Sequence, residues 1–233
     1  MLRLHAKLST QIGLNSSNLS RRSLKRIIPK SASITILDIG ANVGQFSKLC
    51  RREFKEALII AIEPQDLCHV EILKNSGINT IVIGKVVSSE VGFVSFEISE
   101  DKDRKGHIVN GWTQTEPIEP NTYEQTTVDE IMKEYKIESL NLLKIDTEGN
   151  DYEVLKGAKT SLSQGKVGNI LFEIMPRLIS HRTTPSEIER YLREFGYNFF
   201  YRSTPHLGLM KLEHLVDYEL HTQNIITSKV EIK

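Results

Sequence analysis

The apolar and polar positions of the chain predict short strands alternating with helices. In the stretch 34–50, a nearly continuous apolar run leads into a turn bearing Gly40 and Gly44, and then into apolar positions that share one helical face. A run rich in β-branched residues is typical of a central strand in a parallel sheet covered on both faces. This pattern recurs along the chain and predicts an α/β fold with a doubly wound sheet.

The remaining elements follow from the same periodicity. Further buried strands are predicted at 57–64, 78–87, 140–145 and 168–174, a short strand at 91–96, and an antiparallel pair at the sheet edge at 197–202 and 223–232. Helix starts are indicated at Asp66, Thr127, Asn150 and Thr184, where N-cap residues precede helical spacing. The helix that begins near Asp66 carries Leu67, Val70 and Leu73 on its apolar face.

The turn after the first strand has the features of a ligand crevice. Such crevices lie at the carboxyl edge of open α/β sheets, between a strand end and a helix start. The dinucleotide pattern G-x-G-x-x-G would need glycine where Asn42 and Gln45 stand. Asp38 beside the turn instead favours a cationic ligand, and S-adenosylmethionine carries an ammonium and a sulfonium. A tight turn with no ligand is the alternative for Asp38, Gly40, Asn42 and Gly44.

Two further positions fit an adenosine cofactor. Glu63, followed by Pro64, ends the second strand, where a carboxylate can accept hydrogen bonds from ribose hydroxyls. Ser88 ends the predicted third strand and could contact the adenine side, or could be an ordinary turn residue. Both positions suit S-adenosylmethionine and a nicotinamide dinucleotide equally.

A second group of carboxylates follows the strand at 140–145. Asp146 and Glu148 come directly after it, and we expect this strand to neighbour the first, which places both across the crevice from Gly40. Glu148 could alternatively cap the next helix. Glu173 stands near the end of the strand at 168–174.

Composition limits the classes of partner. The 233 residues include 30 Lys and Arg against 30 Asp and Glu, so no overall field attracts nucleic acid or an anionic membrane. Cys50 and Cys68 fit reduced core positions, and no apolar run reaches the length of a transmembrane helix. These features predict a cytoplasmic protein.

Two segments stand apart from the predicted domain at 34–233. The arm at 1–33 is basic, with Leu24, Ile27 and Ile28 on one helical face. It could be a transit peptide, a helix making weak membrane-surface contact, or a helix packed over the sheet. The polar segment 101–125, which contains His107 and Trp112, is predicted to be an acceptor-side loop or an ordinary surface loop.

Five strings along the chain form a recognisable set: D-I-G-A-N-V-G-Q-F-S at 38–47, I-E-P at 62–64, T-V-D-E-I at 127–131, K-I-D-T-E-G-N-D-Y-E-V-L-K-G-A at 144–158 and F-E at 172–173. In these strings the chain resembles the FkbM family of S-adenosylmethionine-dependent methyltransferases. The resemblance implies a single-domain, seven-stranded, mostly parallel Rossmann-like sheet with helices on both faces and an antiparallel edge strand. It also implies methyl transfer to oxygen, often a hydroxyl of a sugar or a polyketide, so the expected partner is a small-molecule or glycan acceptor.

Transfer to an alcohol requires a base, because an alcohol is a weak nucleophile near neutral pH. Asp146, Glu148 and Glu173 are the candidates, with His107 and His181 behind them. We predict Asp146 nearest the methyl group, also contacting the cofactor, and Glu148 or Glu173 binding acceptor hydroxyls. An oxygen-rich cluster could also hold Mg²⁺. A nucleotide-binding oxidoreductase and a non-catalytic cofactor-binding module remain the alternative functions.

Overall fold

A computed structural model describes residues 19–28, 33–98, 106–108, 122–174, 183–204, 208–215 and 222–233. The strands are β1 Thr35–Ile39, β2 Leu58–Ile62, β3 Thr80–Ile83, β4 Val86–Val87, β5 Gly92–Ile98, β6 Gly106–Ile108, β7 Thr122–Thr126, β8 Leu140–Ile145, β9 Val167–Ile174, β10 Phe199–Thr204, β11 Gly208–Leu212 and β12 Gln223–Ser228. The helices are α1 Arg21–Ile27, α2 Gln45–Glu53, α3 Asp66–Ser76, α4 Val128–Glu134, α5 Asp151–Lys156, α6 Lys159–Ser163 and α7 Pro185–Glu194.

The main sheet has eight strands in the order β11-β10-β12-β9-β8-β1-β2-β3. The five strands from β9 to β3 are parallel, whereas β12 is antiparallel to both β9 and β10, and β11 is antiparallel to β10. The chain runs outward from β1 through β2 and β3 and later returns to β8 on the other side of β1. This reversal creates the crevice at the carboxyl ends of β1 and β8 where ligands bind in such sheets.

The predicted Rossmann-like α/β fold is confirmed, and the predicted count of seven strands is corrected to eight. The additional strand β11 forms the edge, and β12 lies between β9 and β10. The predicted antiparallel pairing of the last two segments is correct, but the pair is not itself the edge. A five-residue edge strand such as β11 gives little signal in the sequence, because the pairing with β10 stabilises it more than its own composition does.

The predicted strand at 78–87 is in fact two strands. β3 ends at Ile83, and after Gly84 and Lys85 the chain enters β4, which belongs to a second sheet of order β4-β7-β5-β6. The side chain of His69 crowds Gly84, where an added Cβ would lie 3.0 Å from Cε1 of that ring. Two other strands of this second sheet, β6 and the start of β7, lie within the segment 101–125 that was predicted to be a loop.

Apolar side chains pack on both faces of the main sheet. One cluster joins the strands to α4, α5, α6 and α7, and the other joins them to α1 and α2. The described part of the basic arm belongs to the second cluster, because Leu24 and Ile27 of α1 are fully buried there. The other described face of this helix carries Lys25, which pairs with Glu53 of α2 at 2.9 Å.

The apolar face predicted for α3 is wrong. Leu67 and Val70 are 83% and 60% exposed, Leu73 is also exposed, and the helix buries Cys68 and Ile72 instead. The helix has two apolar stripes, and the sequence does not say which stripe faces the sheet. The buried stripe completes a small cluster with Ala41 and Ala61. In the described parts of the chain, no helix is long and apolar enough to cross a membrane.

Candidate active site

The turn after β1 lies over the ends of the neighbouring strands. Gly40 (φ 69°), Asn42 (φ 47°) and Gly44 (φ 77°) have left-handed backbone conformations. The amides of Gly40 and Ala41 donate to the carbonyl of Ile62 at the end of β2, at 2.9 and 3.0 Å. A Cβ on Gly40 would lie 1.9 Å from the carbonyl oxygen of Asp146, so only glycine allows the two turns to meet at this distance.

Glu63 holds the turn after β2 against the turn after β1. Its carboxylate accepts hydrogen bonds from the backbone N–H of Asn42 at 2.9 Å and of Gln65 at 3.1 Å, and the residue is 4% exposed. Burial raises the pKa of the Glu63 carboxyl above its usual value, although the two amides and the charge of Lys144 oppose the shift. Pro64 follows and is also buried.

Lys144 is the buried centre of the site, and it was not among the candidate site residues predicted from the sequence. Its Nζ lies 3.0 Å from Oδ1 of Asp38 and 3.5 Å from Oδ2 of Asp146, and donates to the carbonyl of Gly40 at 2.8 Å. Burial alone would lower the pKa of the ammonium, but the carboxylates of Asp38 and Asp146 outweigh it and hold the pKa above its ordinary value. The sequence signal for this residue was a lysine inside the otherwise mostly apolar run L-N-L-L-K-I. In the structure, the parallel register places this lysine opposite Asp38.

Asp38 therefore has an internal partner where the sequence suggested a cationic ligand. Its side chain is fully buried, and its other oxygen accepts a hydrogen bond from Oγ of Ser47 at 2.6 Å. The charge of Asp38 is balanced by Lys144. Any effect of Asp38 on a ligand is expected to pass through Lys144 and the Gly40 turn.

The acidic turn after β8 lies at the same edge of the sheet. The amide of Asp146 donates to the carbonyl of Ile39 at 3.1 Å, which places Asp146 beside the Gly40 turn, as expected from the order of the strands. The Asp146 side chain is 16% exposed, so it is the most accessible of the three charged groups in the Asp38, Lys144 and Asp146 cluster. Glu148 has a left-handed backbone (φ 51°) followed by Gly149 (φ 100°), which bends the chain into α5.

Asp151 joins this turn to the end of β9. It accepts hydrogen bonds from the N–H of Thr147 at 3.1 Å and its hydroxyl at 2.6 Å, and from the N–H of Glu173 at 2.8 Å. Asp151 and Lys144 are the two residues at this site that reasoning from the sequence missed. Asp151 stands within the family-like string at 144–158, but a carboxylate in the first turn of a helix looks like an ordinary helix-stabilising residue.

Ser88 lies on the side of the second sheet. It is buried, its N–H donates to the carbonyl of Thr126 at 2.9 Å, and a Cβ on Gly157 would lie 2.1 Å from its carbonyl oxygen. The preceding Val87 accepts a hydrogen bond from Nδ2 of Asn150 at 3.1 Å, which ties the end of β4 to the acidic turn. The candidates Trp112 and His181, and the side chain of His107, lie outside the described residues.

A sequence model described as the methyltransferase FkbM domain matches residues 38–199. The chain belongs to this family. This match confirms the family predicted from the sequence, the FkbM family of S-adenosylmethionine-dependent methyltransferases. The match begins at Asp38 and includes the turns after β1, β2 and β8 and the strand ends described above.

Individual relatives agree with the family. The protein is 27% identical over 198 residues to "Methyltransferase sdnD" of Sordaria araneosa, covering 70% of this chain and 73% of the relative. It is 26% identical over 168 residues to "Hexuronic acid methyltransferase AglP" of Haloferax volcanii, covering 67% of this chain and 66% of the relative. Among solved structures, the METTL16 MTase domain superposes with a TM-score of 0.50 at 12% identity, covering 90% of this chain and 66% of that chain, which shows the shared fold.

The FkbM site fits S-adenosylmethionine by its donors and acceptors. Glu63 offers a buried carboxylate at the end of β2 for ribose hydroxyls, and Asp146 offers a partly exposed carboxylate for a positive charge. Mg²⁺ fits less well, because the described part of the chain contains no group of three or more His, Cys, Asp or Glu that could hold a metal ion. We therefore assign no role to a metal.

Proposed function

We propose that the protein is an S-adenosylmethionine-dependent O-methyltransferase whose acceptor is a hydroxyl of a sugar, a glycan or a related metabolite. The observation that supports the proposal is that the Asp151 carboxylate accepts hydrogen bonds from the N–H of Thr147, which lies between Asp146 and Glu148 in the turn after β8, and from the N–H of Glu173 near the end of β9. Carboxylates suit a polyhydroxylated acceptor, because they accept hydrogen bonds from hydroxyls and can remove a proton. The relative named as a hexuronic acid methyltransferase supports the sugar assignment.

The cofactor side is assigned to the turns after β1 and β2. Gly40, Asn42 and Gly44 provide the backbone cradle, and Glu63 with Pro64 receives the ribose. Ser88 and Asp146 complete the set, with Ser88 on the adenine side. Asp38 contributes through Lys144, because its own carboxylate is buried and paired.

The acceptor side requires a base and a means of orientation. When bound, the cofactor supplies an electrophilic methyl group. Asp146 is the proposed base that takes the hydroxyl proton, and Glu148 or Glu173 holds neighbouring hydroxyls. Fixing the acceptor in this way lowers the entropic cost of the reaction, and a closed site limits competition from water.

A thermal-shift screen tests the cofactor first. A ligand at one hundred times its Kd stabilises the native state by about 2.7 kcal/mol, so S-adenosylmethionine and S-adenosylhomocysteine should raise the melting temperature clearly. NADH should leave it unchanged. A shift with NADH alone would favour the oxidoreductase alternative.

A labelled-methyl assay then tests the acceptor. Hexuronic acid glycosides, neutral hexosides and a simple aliphatic alcohol form a graded panel, and we expect product with the sugars, in which the label is on oxygen. Label on nitrogen or carbon would contradict the proposed chemistry. A panel that yields no product despite S-adenosylhomocysteine binding would favour a non-catalytic module.

Asp146→Asn tests the proposed base. Turnover should fall by about 10²- to 10⁴-fold, the usual contribution of general acid–base catalysis. Affinity for S-adenosylhomocysteine should stay nearly intact, because this molecule lacks the sulfonium charge that Asp146 is proposed to face. Asp129→Asn, in a carboxylate that caps α6 through the amides of Thr160 and Ser161 at 2.8 Å, is the control and should retain turnover. Undiminished turnover of Asp146→Asn would remove Asp146 as the base.

A further inference from the structure

Asp151 links the turn after β8 to the end of β9, beyond the last residues that pair between these two strands. The paired residues of the ladder between these strands end at Lys144 and Leu171, two residues before Glu173. Beyond that point Oδ1 of Asp151 accepts the hydrogen bond from the N–H of Glu173 at 2.8 Å. The Asp151 carboxylate thus takes the place of a strand carbonyl as the acceptor for this N–H of β9.

The other oxygen of Asp151 fixes the acidic turn. Oδ2 accepts from the hydroxyl of Thr147 at 2.6 Å and from its N–H at 3.1 Å, and the residue is 4% exposed. Thr147 stands between Asp146 and Glu148 in the chain. One buried side chain therefore holds both neighbours of Thr147 at a fixed place relative to Glu173.

We propose that Asp151 is a positioning residue that sets the separation between the turn carrying Asp146 and Glu148 and the strand end carrying Glu173. This inference rests on the proposed function, in which these three carboxylates receive the acceptor. Asp151 itself is buried and acts through Thr147 and Glu173. A displacement of about 1 Å between reacting groups can cost about 10²-fold in rate, so a loosened link should reduce turnover strongly.

The surroundings of Asp151 bring the pKa of its carboxyl into a range where its protonation can be followed by titration. Burial, the largest cause, and the charge of Asp146 together raise the pKa of Asp151 to about 6, although the hydrogen bonds from Thr147 and Glu173 oppose the rise. Lys144, on β8, also interacts electrostatically with Asp151. The carboxylate is ionised above about pH 6 and accepts all three hydrogen bonds most strongly there.

An NMR titration of the nitrogen-15-labelled wild type tests the link without any acceptor. The amide resonances of Thr147 and Glu173 should shift together, with one midpoint near pH 6, because both amides donate to the same carboxylate. In Thr147→Val the midpoint should move to higher pH, because the lost hydroxyl bond favoured the ionised form. Amides that do not titrate together would overturn the proposal.

Asp151→Asn tests the functional consequence against a matched control. Asp129 accepts hydrogen bonds from two amides and one hydroxyl, as Asp151 does, but it joins α4 to α6. Asp151→Asn should reduce kcat by about 10²-fold, change S-adenosylhomocysteine affinity less than threefold and abolish the shared amide titration. Asp129→Asn should change none of the three.

The outcomes separate this inference from the proposed function. If the wild type methylates no hydroxyl acceptor, the proposed function fails, while the amide titration still decides whether Asp151 links the two segments. If Asp151→Asn keeps the wild-type kcat and loses only stability, the positioning role is refuted. If Asp151→Asn does not fold, the wild-type and Thr147→Val titrations alone decide.

Discussion

Replacing Lys144 with methionine should lower the free energy of unfolding by about 3 to 5 kcal/mol, because it leaves a buried charge without its partner. The Asp38 carboxylate is fully buried, and its Oδ1 lies 3.0 Å from Nζ of Lys144. Methionine is close in volume to the lysine stem, so no large cavity contributes. Ser47 would remain as a hydrogen-bond donor to Asp38, and the carbonyl of Gly40 would lose its donor.

The double variant Asp38→Asn/Lys144→Met separates the charge from the packing. Removing both charges should recover at least half of the loss, and the coupling between the two sites should reach about 2 to 3 kcal/mol. Asp38→Asn alone should cost less than Lys144→Met, because Asp146 remains 3.5 Å from Nζ as a partner. Urea unfolding at neutral pH, followed by two spectroscopic probes, gives each free energy by linear extrapolation.

An exposed ion pair supplies the control for this experiment. The side chain of Lys133 is 77% exposed and lies 3.1 Å from Glu130 on α4, so Lys133→Met should change the free energy of unfolding by less than about 0.5 kcal/mol. A cost below about 1 kcal/mol for Lys144→Met, or a double variant whose loss equals the sum of the single losses, would refute the buried pairing.

Three further predictions follow from burial and charge. Gly40→Ala should abolish S-adenosylhomocysteine binding in calorimetry, because its Cβ would lie 1.9 Å from the carbonyl of Asp146 at a φ of +69°. The pKa of Asp151 is raised from 3.8 to about 6 in the folded state, so between these pH values the folded protein binds more protons than the unfolded chain. As the pH rises from 4 to 6, the free energy of unfolding of the wild type should therefore fall by up to about 3 kcal/mol relative to that of Asp151→Asn, as measured by urea titrations. Leu24→Ala should cost about 2 to 5 kcal/mol and Leu67→Ala under 0.5, since these side chains are 0% and 83% exposed in the fold; equal losses on thermal unfolding would contradict the packing.

Local signals in the sequence predicted most of the central elements. Continuous apolar runs identified β1, β2, β8 and β9, since both faces of a central strand are covered. The start of α7 was equally clear, because Thr184 and Glu187 form a reciprocal capping box with Pro185 in the first turn. These features depend on neighbours in the chain, so they can be recognised without knowing the tertiary fold.

Features decided by tertiary packing were predicted less well. The helix α3 offers Leu67 and Val70 on one stripe and Cys68 and Ile72 on another, and only contact with Ala41 and Ala61 selects the buried stripe. The division of 78–87 into β3 and β4 depends likewise on a second sheet formed with distant residues. Apolar content indicates that a segment is buried, but not by which partner.

The same distinction explains the electrostatics of the site. Carboxylates after strands predicted an acidic edge, but a carboxylate can be neutralised from within the protein as well as by a ligand. The parallel register places Asp38 directly opposite Lys144, so that charge is balanced inside the sheet. We therefore expect a cationic methyl donor to respond to Asp146 at the crevice, while Asp38 holds the lysine that keeps Asp146 and the Gly40 turn together.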